Sequence, residues 1–220
     1  LALPAAAQSQ RRSWALYSLA RSQAPNDPAQ AIQLWQQLRD EVNKGLAEPL
    51  QLAVASLGEE ARLQLAEQQW HDAIGLYATQ AHYDASGYAS LLQLSRQLLA
   101  KPDAELQPLL TQTAVSRLLS LYLFSQLSGL QYSAPQQLTR LLQLLQQTPG
   151  IQLANALELA AVSYQQGQYD NAANLLRQAA DSPLKWWLSA KLALRSNDLA
   201  AAASAYAKAS KAFPTALPAP

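Results

Sequence analysis

Hydrophobic positions recur every three or four residues along most of this chain, the spacing of one face of an α-helix. The clearest stretch is 156–183, which predicts two short helices, Ala156–Gln166 and Tyr169–Asp181, joined at Gly167. A glycine at that position can adopt the left-handed conformation that ends a helix. Because such a hairpin carries apolar residues on both outer sides, it has to pack against neighbouring hairpins. The stretch is therefore predicted to be one unit of a helical repeat.

The same periodicity continues on both sides of that hairpin and predicts about eleven helices between residues 9 and 213. Alanine, leucine and glutamine dominate, glycine is scarce at 7 residues, and this composition favours an all-α chain. The most apolar segment, 106–127, is predicted to be a single buried helix. Because Arg117 and several serines and glutamines interrupt it, no run approaches the ~20 apolar residues of a membrane span.

A short pattern repeats along the chain: a large or cyclic residue, an alanine three positions later, and a large residue four positions after that. It occurs at Pro28, Ala31 and Trp35; at Trp70, Ala73 and Tyr77; at Tyr169, Ala172 and Leu176; and at Leu199, Ala202 and Tyr206. The last two occurrences are 30 residues apart. That distance is close to the ~34-residue period of one class of helical hairpin repeat.

The two C-terminal hairpins resemble the tetratricopeptide repeat family, most strongly over residues 156–214. The matching positions are Ala160, Tyr164, Gly167, Tyr169, Ala172, Leu176, Ala179 and Pro183 in one hairpin, and Trp186, Ala190, Ala202, Tyr206, Ala209 and Pro214 in the next. Ser163 departs from the family, which often has an aromatic residue there. Asn197 stands where the first of these hairpins has Gly167, and asparagine is the next most tolerant residue of a left-handed turn. The resemblance implies a right-handed superhelical solenoid of about five to six antiparallel hairpins.

The ends of the chain differ in composition from this periodic part. Residues 1–8 are predicted to be a signal remnant or a linker, 9–213 the solenoid domain, and 214–220 a Pro/Ala tail or a linker to a further domain. The run Ala5-Ala6-Ala7 is typical of an export cleavage site, and the absence of cysteine fits an exported bacterial protein. A periplasmic or exported location is therefore expected, and an ordinary Ala/Pro linker is the alternative.

The chain offers little that would support catalysis or ligand chemistry. Its 16 basic and 15 acidic residues leave a net charge of +1, which does not favour nucleic-acid binding. His71 and His82 are eleven residues apart and would lie roughly 16 Å apart on one helix, too far to share a metal ion. Adjacent acidic residues point about 100° apart on a helix and make poor acid–base pairs. We expect no catalytic residue, no metal site and no cofactor.

In the tetratricopeptide repeat family, the first helix of each hairpin lines a concave surface that binds partners. Carried onto this chain, the resemblance implies a groove lined by Arg62, Leu65, Tyr164, Gln165, Trp187, Lys191, Leu194 and Arg195. Trp187, Lys191 and Arg195 follow one another at four-residue steps, so they form a ridge with one aromatic residue and two cations. That ridge suits a peptide with a carboxylate beside an apolar residue; a solvated helix face is the alternative. The adjacent Trp186 is predicted to be core, because two neighbouring residues cannot face the same side.

These features together predict a non-catalytic scaffold of a bacterial envelope system that binds a protein or peptide along its concave helical surface. The alternative is the helical superhelix domain of a larger envelope enzyme, such as a peptidoglycan-cleaving transglycosylase, with its catalytic domain beyond Pro220. A third hypothesis is self-association, because the leucine-rich segments 118–124 and 138–145 could leave an apolar patch.

Overall fold

The chain is all-helical in the part that the structure describes. The computed structural model describes residues 5–128, 135–148, 151, 153 and 155–212, which form twelve α-helices and contain no β-strand. The prediction of an all-α chain is therefore confirmed. There is one helix more than expected, because the segment 106–127 does not continue as a single helix.

That segment breaks at Thr111 and Gln112, where the preceding helix closes in a tight turn. Pro108 lies inside the preceding helix and cannot donate a backbone hydrogen bond. The carbonyl of Pro108 accepts from the hydroxyl of Thr111 (2.7 Å) and from its N–H (3.3 Å), which closes a tight final turn. The prediction of one helix over 106–127 was wrong for this reason.

The chain divides into two compact units, Leu1–Ala100 and Lys101–Pro220, called unit 1 and unit 2 below. The helices of unit 1 are α1 (Ala5–Gln23), α2 (Pro28–Asn43), α3 (Leu52–Ala66), α4 (Trp70–Tyr83) and α5 (Ala85–Leu99). The helices of unit 2 are α6 (Asp103–Leu110), α7 (Thr113–Ser128), α8 (Pro135–Gln147), α9 (Ala156–Gln165), α10 (Tyr169–Gln178), α11 (Pro183–Arg195) and α12 (Leu199–Ala212). Residues 5–8 of the predicted linker belong to α1, and the predicted tail 214–220 lies outside the described residues.

Neighbouring helices pair in sequence order within unit 1. Helix α1 packs on α2, α3 packs on α4, and α4 packs on α5, while α3 also contacts both α1 and α2. One buried cluster between α1 and α2 contains Ala20, Ala31, Leu34 and Trp35. Asp27 caps α2, as its carboxylate accepts from the N–H of Gln30 at 2.9 Å.

Unit 2 has the same kind of helix pairing at its C-terminal end. Helix α9 packs on α10 and α11 packs on α12, and α11 also contacts both α9 and α10. The turns that join each pair contain Gly167 (φ 76°) and Asn197 (φ 60°), both in the predicted left-handed conformation. The turn at Gly167 brings Tyr164, near the end of α9, beside Tyr169 at the start of α10.

The alanines of the repeating pattern lie at helix contacts. Ala31, Ala73, Ala172 and Ala202 are all buried, and each lies in the second helix of a paired set. Small side chains at such positions allow two helices to approach closely, so the pattern marks helix contacts. Among the described residues, no helix is long and apolar enough to cross a membrane.

Candidate partner-binding surface

Helix α11 carries half of the predicted groove residues, and its first turn is fixed by local contacts. Ser182 caps the helix by accepting from the N–H of Lys185 (3.2 Å), and Pro183 occupies the first helical position. The helix then places Trp187, Lys191 and Arg195 at successive turns. Its buried side chains are Leu188 and Ala190, so the ridge lies away from the core.

Two cations of this ridge stack on aromatic rings from three helices. The Lys191 ammonium lies 4.2 Å from the ring centroid of Trp187 and 5.8 Å from that of Tyr164. The Arg195 guanidinium carbon lies 3.6 Å from the ring centroid of Tyr169. The rings of Tyr164 and Tyr169 meet edge to face with centroids 5.3 Å apart. We call these five residues the Trp187 surface.

The charges of this surface have no acidic counterpart among the described residues. Neither Lys191 nor Arg195 forms an ion pair or a hydrogen bond there; their contacts are with the aromatic faces. An aromatic face attracts a cation through its electron density but accepts no conventional hydrogen bond. The N–H donors of both side chains therefore remain available to a carboxylate that approaches from outside.

The predicted groove residues fall into two groups. Tyr164, Trp187, Lys191 and Arg195 are brought together on the Trp187 surface, and Gln165 and Leu194 are exposed next to them on the same helices. Arg62 and Leu65 belong to α3 of unit 1, where Leu65 is half-buried and Arg62 is exposed. Tyr164, Trp187, Lys191 and Arg195 thus lie on one surface of unit 2.

Arg62 differs from Lys191 and Arg195 because it forms an ion pair within the protein. Its guanidinium pairs with Glu59, and Arg21 of α1 approaches the same carboxylate at 3.7 Å. The hydroxyl of Tyr17 donates to Glu59 at 3.3 Å. Partial burial, followed by the charge of Glu59, raises the pKa of Tyr17 above its ordinary value. Arg62 and Arg21 are therefore already paired with a carboxylate of the protein itself.

Two aromatic residues of unit 2 have roles that the sequence did not suggest. Tyr169 was assigned to the repeat core, yet its ring carries the Arg195 guanidinium. Trp186, predicted to be core, is only half-buried, with the Lys208 ammonium of α12 4.3 Å and that of Lys185 5.7 Å from its ring. The five-residue spacing of Tyr164 and Tyr169 across Gly167 was the available signal for the pairing of the tyrosines.

The two histidines lie near opposite ends of one helix. His71 is near the start of α4 and His82 near its end, and both are exposed. The His82 ring contacts Tyr83, with centroids 5.1 Å apart. Among the described residues, no three His, Cys, Asp or Glu side chains are close enough together to hold a metal ion.

No protein-family model matches the chain, and no curated protein is similar to it in sequence. The resemblance to the tetratricopeptide repeat family therefore stays a prediction from the residues quoted above.

Proposed function

We propose that this protein is a non-catalytic scaffold that binds a protein or peptide partner, and that the partner docks on the Trp187 surface. The proposal depends on one observation: Lys191 and Arg195 stack on aromatic rings and have no acidic partner among the described residues. A peptide with acidic side chains beside an apolar residue matches this surface in both charge and chemistry.

The way in which the cations are held favours binding. Long basic side chains lose rotamer entropy when a partner fixes them, and this loss weakens binding. Stacking on Trp187 and Tyr169 already restricts Lys191 and Arg195 before the partner arrives. Trp, Tyr and Arg are also the residues that contribute most to binding at protein interfaces.

We further propose that the hairpins of each unit stack as in a right-handed tetratricopeptide-like solenoid. Three features support this arrangement: the pairing of helices in sequence order, the buried alanines of the repeating pattern, and the left-handed turns at Gly167 and Asn197. A small-angle scattering profile of the intact protein tests it, since a solenoid is more extended than a globule of equal mass. The predicted envelope location remains a prediction from sequence.

Selection from a library of random dodecapeptides displayed on phage tests the binding proposal directly. We expect selection on the intact protein to enrich acidic peptides that also contain an apolar residue. In fluorescence anisotropy, the double variant Lys191→Glu/Arg195→Glu should bind these peptides about ten-fold more weakly or worse, because repulsion replaces attraction. Arg117→Glu/Lys211→Glu makes the same charge change at exposed positions of unit 2 and should bind nearly as the wild type does.

Two results would contradict the proposal. One is a selection that enriches peptides without acidic residues. The other is equal weakening by the ridge variant and by its control, which would mean that the peptides respond only to net charge and not to the Trp187 surface.

A further inference from the structure

A groove lies on another face of α11. Residues three, four or seven apart share one face of a helix, so Lys185, Ser189 and Leu192 face a different side from Trp187 and Lys191. Together with residues of α10 they form an open groove of about 400 Å³. It is lined by Ala173, Leu176, Arg177, Lys185, Ser189 and Leu192.

The middle of this groove is apolar. Leu176 is buried at its base, and Ala173 and Leu192 are half-buried beside it. The Ser189 hydroxyl donates to the carbonyl of Lys185 (2.8 Å), so its hydrogen is already used within α11. Such a surface favours aliphatic side chains over polar ones.

Both cations of the groove lie at one end, because α10 and α11 are joined by a short turn over 179–182. Arg177 is in the last turn of α10, and Lys185 is in the first turn of α11. The Lys185 ammonium is held in place by the Ala179 carbonyl (2.7 Å) and by the Asp181 carboxylate (3.0 Å). Arg177 donates only to the side-chain oxygen of Asn174 (2.9 Å), and no described carboxylate pairs with it.

The charge at this end of the groove is positive. Asp181 is the one carboxylate bonded to either cation among the described residues, and its side chain is 69% exposed. An ion pair with so exposed a carboxylate is weak, about 0–1 kcal/mol. One end of the groove is thus cationic, and the rest is apolar.

We infer that this groove is a second docking site, which binds a peptide segment of a partner whose aliphatic side chains are followed by an acidic residue. The aliphatic side chains lie over Leu176 and Leu192, and the carboxylate meets Arg177 and Lys185. The site is separate from the Trp187 surface and does not depend on it. Unit 2 can then hold two acidic segments, one on each of these faces of α11.

Methyl NMR of the intact protein tests this site, with the acetylated and amidated tetrapeptide Leu-Ala-Leu-Glu as the probe. We expect saturable shifts of the Leu176 and Leu192 methyl signals, and binding about ten-fold weaker when glutamine replaces the glutamate of the probe. Arg177→Glu should weaken binding of the probe about as much. Asp181→Asn should strengthen it about two- to five-fold, because it removes the competing carboxylate.

Lys211→Glu is the matched control, since it makes the same charge change at an exposed position of unit 2 that does not line the groove. Equal binding of the Glu and Gln probes would overturn the inference, as would unshifted methyl signals at millimolar probe. A nitrogen-15 spectrum of the same sample records the indole N–H of Trp187, and shifts confined to that signal would also overturn the inference, while leaving the proposed function of the Trp187 surface intact. The inference would also be overturned if Lys191→Glu/Arg195→Glu abolished binding of the probe while Arg177→Glu did not.

Discussion

Single small residues determine how closely the helices of this protein approach one another. A Cβ atom added at Gly58 of α3 would lie 2.7 Å from the side-chain oxygen of Gln80 in α4. A Cβ added at Gly87 of α5 would lie 2.7 Å from the backbone oxygen of Tyr77 and would also collide with the backbone of Ala81. The flexible Gln80 side chain can move aside, whereas the backbone of α4 cannot.

Gly87→Ala should therefore destabilise unit 1 strongly, by about 2–4 kcal/mol, through steric conflict at the α4–α5 contact. Gly75→Ala in α4 is the matched control, because nothing lies within 4 Å of the added atom. Alanine has the higher helix propensity, so this control should stabilise the same unit by about 0.5–1 kcal/mol. Urea unfolding followed by circular dichroism measures both. Similar effects of the two substitutions would mean that α4 and α5 are not in close contact at Gly87.

At this scale the sequence predicted some backbone features and missed others. Gly167 and Asn197 were expected in left-handed turns, since these residue types tolerate that conformation, and both adopt it. Gln51 and Gln68 have the same conformation (φ 53° and 58°) and were not predicted. Glutamine has no preference for a positive φ, so we attribute this conformation to the path that the chain takes between neighbouring helices.

At the scale of the helices, side chains distant in sequence join one helix to the next. Arg12 of α1 pairs with Glu41 of α2, and Arg39 of α2 pairs with the buried carboxylate of Glu60 in α3. Ser56 and Gln36 complete the hydrogen bonds of that buried pair. Periodicity predicts the helices because it is local, but it contains nothing that pairs residues about twenty or thirty positions apart.

The α1–α2 ion pair predicts a pH dependence of stability. Hydrogen bonding from Arg12, which outweighs partial burial, lowers the pKa of Glu41 from 4.5 to about 2. A carboxyl whose pKa is lower in the folded state stabilises the fold above its unfolded pKa, and this contribution disappears as the pH falls toward the folded pKa. We therefore expect unit 1 to lose stability between about pH 4.5 and pH 2, and Glu41→Gln to lose less over that range.

Denaturant unfolding of wild type and Glu41→Gln at several pH values measures this difference. Glu67→Gln, which removes an exposed carboxylate without an ion pair among the described residues, controls for the loss of one charge. If the two variants had the same pH profile, the Arg12–Glu41 pair would not contribute to the acid sensitivity of the fold.

The candidate site shows the same limit of sequence reasoning. Trp187, Lys191 and Arg195 could be recognised as a ridge because all three lie on one helix at a fixed spacing. That Arg195 stacks on Tyr169, and that Arg177 and Lys185 meet at one end of a groove, depends on how α9, α10 and α11 pack. Those contacts became visible only in the folded chain.

At the scale of the whole molecule, the chain is nearly neutral, but its two units have net charges of opposite sign. Unit 1 has seven basic and nine acidic residues, and unit 2 has nine basic and six acidic residues. The exposed cations Arg21 and Arg62 of unit 1 share the carboxylate of Glu59. In unit 2, Lys191 and Arg195 form no ion pair with a carboxylate of the described residues. The excess positive charge therefore lies in the unit that carries both proposed docking surfaces.

This distribution predicts that partner binding depends on salt. Salt screens charges on exposed surfaces, and the Debye length falls from about 10 Å at 0.1 M to about 3 Å at 1 M. We expect the dissociation constant of the selected acidic peptides to rise about ten-fold between about 0.05 M and 0.5 M NaCl. Lys191→Glu/Arg195→Glu should lose most of this dependence, whereas Arg117→Glu/Lys211→Glu should retain it. A dissociation constant independent of salt would show that the peptides are held by apolar contact with Trp187 and not by its two neighbouring cations.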